Sequence, residues 1–143
     1  MALSATAYNY AKKLFLTADL DLETSAKVAL LTDDYTPDID AHQFWTDVSG
    51  SEVTGSGYTA GGADLANASA TVDTTNDLAY VDADDSSWTS ATMTDLRYAV
   101  IYRNTGDAAT SPLVGYVNFG SNKSLTDGTF TLNFSTAGVV KIA

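Results

Sequence analysis

The spacing of hydrophobic and polar positions changes once, early in the chain. Behind Ser4, the residues Ala7, Tyr8, Ala11, Leu14, Phe15 and Ala18 recur at the three- and four-residue intervals of one helical face. Ser4 is the expected N-cap, since its side-chain oxygen suits the unpaired N–H groups of a first turn. Lys12 and Lys13 lie toward the other end, where the helix dipole favours cations. The pattern predicts one helix over residues 4–17, stopping near residues 17–19.

After it the period is two, with short segments separated by Gly, Asn, Asp and Ser. Residues 27–32 (KVALLT) read as a strand apolar on both faces, as near a sheet centre. Residues 33–40 turn at Pro37, and His42, Phe44 and Trp45 fit a short helical turn. Residues 50–62 hold five of the ten glycines and predict an irregular loop with unusual backbone angles. Residues 65–73 alternate Ala66, Ala68, Ala70 and Val72 with polar partners. So small an apolar face leaves room for a closely approaching neighbour. With residues 78–82 this segment forms a hairpin around 74–77. A longer hairpin joins residues 96–103 to 113–119 through the loop 104–112 (NTGDAATSP). Asp127-Gly128 supplies a turn before the alternation Phe130, Leu132, Phe134, and residues 139–142 make a last strand. The expected fold is therefore mainly β: an antiparallel β-sandwich or barrel of about seven strands with one N-terminal α-helix, in a single domain over residues 1–143.

Composition narrows the partners. A chain of 143 residues can bury a sizeable core without staples, and the absence of Cys excludes disulfides and thiolate metal sites. The net charge of −11 repels a phosphate backbone and an anionic bilayer, so neither nucleic acid nor membrane is expected as a partner. About a quarter of the chain is Ser or Thr while charged residues make up 17%, a surface polar without dense charge. No stretch reaches 18 consecutive apolar residues, and the start carries no basic cluster followed by an apolar run, so no secretory signal is expected.

Catalytic chemistry finds little footing. A Ser-His-Asp triad would have to use His42, and no Gly-x-Ser-x-Gly elbow presents a serine to it. Acidic pairs such as Asp38/Asp40 and Asp82/Asp84/Asp85 follow from sixteen aspartates, and none fits a Ca²⁺-binding loop of twelve residues. The run Gly55-Ser56-Gly57-Tyr58-Thr59-Ala60 mimics a dinucleotide fingerprint, yet Gly61-Gly62 would break the helix that must follow. No catalytic, cofactor-binding or metal residues are expected, and the reading is not an enzyme. Alternation assigns most aromatic rings to the core, and core packing is the first reading for any one of them; Trp45, Tyr58 and Trp88, which lie beside polar loops, are the candidates for contact, with Gly57 and Gly61 in the same loop region.

Residues 27–65 (KVALLTDDYTPDIDAHQFWTDVSGSEVTGSGYTAGGADL) and 97–120 (RYAVIYRNTGDAATSPLVGYVNFG) resemble a group of small structural proteins of tailed-phage virions, the capsid decoration, cement, head-fibre or minor tail proteins. The resemblance extends from the helix to the final Phe-Thr-Leu-Asn-Phe segment and brings no catalytic signature. It implies a protein of the virion surface, made in the host cytoplasm without a signal peptide and released by lysis. The expected partner is the major capsid protein or another virion protein, and the expected assembly is a homo-oligomer, a trimer. A tail-tip or fibre module stacking Trp45, Tyr58 or Trp88 on host glycan is the alternative.

Overall fold

The computed structural model describes residues 3–142. Its strands form two antiparallel sheets in a mainly β, sandwich-like fold with one α-helix, as the period-two pattern predicts. In chain order the elements are β1 (Thr6–Ala7), α1 (Asn9–Leu16), β2 (Ala26–Thr32), β3 (Ala63–Asp64), β4 (Ser69–Asp73), β5 (Leu78–Asp82), β6 (Ser86–Arg103), β7 (Leu113–Leu132) and β8 (Val140–Ile142). The larger sheet has the order β1-β7-β6-β2-β3 and the smaller β4-β5-β8.

The first segment departs from expectation. Residues 3–7 are extended, because the backbone there closes the edge of β7. Thr6 and Ala7 pair with Tyr116 and Gly115, and Leu3 and Ala5 donate to the carbonyls of Asn133 and Val139. Ser4 is no N-cap; its hydroxyl donates to the Gly138 carbonyl. The helix therefore starts only at Asn9, behind Tyr8, whose side chain is buried and makes no cap. The helical spacing was nonetheless real, since Ala11 and Leu14 are the buried pair of α1.

β2 carries the centre of the core. Residues Val28, Ala29, Leu30 and Leu31 are all fully buried, so both faces of the strand are covered. β6 lies against it in register, from Ala26 opposite Arg103 to Leu31 opposite Tyr98. The other edge of β2 meets only the two residues of β3, and much of its closure falls to the irregular segment 49–62.

The hairpin β6–β7 is longer than its two predicted strands. Eighteen and twenty residues run side by side, far beyond the usual ~5–6. The ribbon absorbs that length in a series of register shifts. Ser90, Asp95 and Asp127 adopt positive φ there without being glycine. Asp127-Gly128 is thus a bulge inside β7, facing Ala91, and does not reverse the chain. A turn and a bulge both call for positive φ, so the same dipeptide signals either. The smaller hairpin forms around residues 74–77 as expected, although its first strand begins at Ser69. Asp73 accepts from the Thr75 and Asn76 amides and the Asn76 side chain, which holds its carboxyl below the usual carboxylate range. Among the described residues no helix is long and apolar enough to cross a membrane.

Candidate interaction surface

The residues chosen from sequence as contact candidates do come together, but inside the molecule. Segment 49–62 lies as a strap over the free edge of β2. The Val53 amide donates to the Leu30 carbonyl, and the Tyr58 hydroxyl accepts from the Leu30 amide at 3.0 Å, so both backbone groups of Leu30 on this edge are paired. Tyr58 in turn donates to Glu52 Oε1 at 2.7 Å, and the Gly61 amide reaches the same oxygen at 2.6 Å. Tyr102 of β6 donates to the Gly61 carbonyl, and its ring stacks on Trp45 at 4.6 Å between centroids. Trp88 lies 6.2 Å from Tyr58 and 6.0 Å from Phe130.

Burial decides between core packing and exposure for the two tryptophans. Trp45 is 7% exposed and Trp88 6%, and Tyr58 is half-buried with its hydroxyl fully engaged. Trp88 lies within β6, opposite Phe130, and the serines beside it, Ser86, Ser87 and Ser90, belong to the same strand. Neither tryptophan presents a face for stacking on a sugar. Burial pushes the Tyr58 hydroxyl well above its ordinary range, against a smaller opposing effect from the Leu30 amide. The Tyr102 hydroxyl is pushed up to about 12, first by burial and then by the charges of Glu52 and Asp64.

The glycines of the strap serve approach rather than flexibility. Gly57 has φ +74°, and a Cβ there would stand 2.7 Å from Ala91 Cα and from the Ser90 carbonyl oxygen. The Thr92 amide donates to Ser56, so the strap is also tied to the bulged part of β6. No helix follows the fingerprint-like run, which turns twice and ends on β3. No local pattern singles out Glu52 or ties the strand residue Tyr102 to Gly61, because an isolated glutamate and a strand tyrosine look like surface and core until their separation in space is known.

His42 packs 5.7 Å from Tyr35, whose hydroxyl is hydrogen-bonded to that of Tyr8. Asp38 accepts from the Ala41 and Asp40 amides, which lowers its carboxyl pKa, and so serves the loop itself. No serine is hydrogen-bonded to His42 among the described contacts. The same residues contain no cluster of three or more His, Cys, Asp or Glu able to hold a metal ion.

The uncovered apolar surface lies elsewhere. Register places Ala70, Val72, Ala79, Val81, Val140 and Ile142 on one face of the smaller sheet. Val140 is buried, whereas Val72 is 71% and Ile142 46% exposed. Between this face and the segment leaving α1 runs a groove of about 340 Å³, walled on the other side by Phe15, Ala18, Leu20 and Leu22. Its charged lining is Asp21 and Glu23. Leu16, at the end of α1, is 89% exposed next to that wall. The small alternating residues of 66–72 were the signal for this face; nothing in the sequence placed it opposite residues 15–23. No protein-family model, curated protein or solved structure matches the chain.

Proposed function

We propose that the protein is a non-catalytic structural component of a tailed-phage virion, a decoration or cement protein that binds the major capsid protein lattice as a trimer. The carrying observation is the open apolar face of the smaller sheet. Val72 and Ile142 are exposed there beside a groove of about 340 Å³. A contiguous apolar surface left to solvent marks a place of attachment. Resemblance of residues 27–65 and 97–120 to virion proteins supplies the setting. Attachment to a repeated lattice also multiplies a modest contact by avidity.

A reconstruction of the virion with this protein located in it tests the reading. Density over the capsid at high copy number is the expected result. A handful of copies at the tail, or a protein that stays monomeric when concentrated and ignores expanded capsids, overturns it. The glycan-stacking alternative loses its basis in Trp45 and Trp88, since both rings are buried.

A further inference from the structure

We infer that the groove between the smaller sheet and residues 15–23 receives an extended aliphatic segment of another protein, flanked by Lys or Arg. The inference rests on the reading of the molecule as an attachment protein and names the chemistry of what it attaches to.

Three observations lead there. The floor is built for close approach: Ala70 lies opposite Val81 and Ala79 opposite Val72 and Ile142, so two small residues sit diagonally across β4 and β5 and leave side chains of an incoming segment room above the sheet. A groove of about 340 Å³ lies within the size range of ligand sites, and its lining is mostly aliphatic, with Phe15 and Tyr80 as the aromatic members. The charged groups at its wall are both carboxylates. Asp21 folds its oxygens onto the Glu23 amide and the Thr24 hydroxyl. Glu23 uses Oε1 to accept from the Ala70 amide, bridging the wall to β4.

Charge then selects among occupants. A second copy of this chain brings a net charge of −11 to a wall that already carries Asp21 and Glu23, so self-association through the groove works against repulsion. A nucleic acid is repelled likewise. A basic-flanked aliphatic segment gains from both the apolar floor and the acidic rim, and steering by unlike charge speeds its approach.

The test uses the full chain and two synthetic amidated peptides, each an alternation of leucine and valine, one flanked by lysines and the other by glutamates. Binding is followed by calorimetry and by amide chemical shifts. The expected result is binding of the lysine-flanked peptide with shifts confined to β4, β5, β8 and residues 15–23, and no binding of the glutamate-flanked one. Ala79→Arg, at an exposed floor position, should abolish binding, whereas Ala109→Arg, with the same charge change on the distant 104–112 loop, should leave it unchanged. Glu23→Gln should weaken binding by roughly up to fivefold, the range of an exposed ion pair. Equal effects of the two arginine variants would reduce the binding to net charge and overturn the inference, as would equal binding of the two peptides or none. A concentration-dependent oligomer dissolved by Ala79→Arg would overturn it in favour of a second copy. These results are independent of where the protein sits in a virion, so failure here and failure of the virion reading are separable.

Discussion

Tyr58 shows how one side chain decides a larger matter. Its hydroxyl accepts from the Leu30 amide and donates to Glu52, so it substitutes for the neighbouring strand that β2 lacks at that point. Tyr58→Phe keeps the ring and removes both bonds, leaving a buried N–H without an acceptor. The expected loss is about 1–3 kcal/mol, read from the urea midpoint. The same chemistry sets an alkaline limit. Burial raises the hydroxyl pKa of Tyr8, Tyr35, Tyr58 and Tyr102, with Tyr35 and Tyr102 at about 12. An unfolded tyrosine ionises near ~10. The unfolded chain therefore holds fewer protons above that pH, and stability falls as pH rises. Full stability should persist up to about pH 10 and decline through about pH 12, with the urea midpoint as the measure. A midpoint that stays level across this window contradicts the burial of these hydroxyls.

At the scale of elements, the strap is the part whose form the sequence announced and whose role it concealed. Five glycines in residues 50–62 predicted irregular backbone, and positive φ at Gly55, Gly57, Gly61 and Gly62 is the reason. That the loop would lie along β2 depends on Glu52, Tyr58 and Tyr102 meeting in space, which no local pattern encodes. Gly57→Ala should separate form from role: its Cβ would meet the backbone of Ala91 at 2.7 Å. We expect a loss of more than about 1 kcal/mol. Hydrogen exchange should quicken at the Thr92 and Leu30 amides, whose acceptors are Ser56 and Tyr58 of the strap, while β4 and β5 keep their protection. Uniform loss of protection would mean that the strap is not a separate unit. The other elements were legible in proportion to how local their causes are. The β4–β5 hairpin, with its Asp73 turn, was readable; the helix start was not, because Asn133, Val139 and Tyr116 hold residues 3–7 in extended pairing from more than a hundred positions away. Asp127-Gly128 suits a turn and a bulge alike, because the dipeptide reports a backbone angle and not a change of direction.

For the whole molecule, charge is the term that composition states most plainly and the fold leaves most nearly intact. Eighteen carboxylates face seven cationic side chains, and among the described residues the ion pair within 4 Å is Lys27 with Asp64, whose carboxylate is mostly exposed. Many of the acids are used by hydrogen bonding instead. Asp85 accepts from the Asn133 side chain and the Phe134 amide, which lowers its pKa and ties β6 to the end of β7. Its contribution is present above the unfolded carboxylate value of about 3.9 and is lost as pH falls through the lower folded one. At neutral pH such bonds are intact, and what remains is repulsion among unpaired acids. Salt should therefore stabilise this protein. Between about 0.01 and 0.15 M ionic strength the screening length falls from about 30 to 8 Å, which silences the long-range repulsion while sparing hydrogen-bonded carboxylates such as Asp85. The melting temperature at pH 7 is expected to rise over that range. A Tm that stays level or falls would mean that the acids are compensated locally, and would remove self-repulsion as the reason for preferring a basic partner in the groove over a second copy.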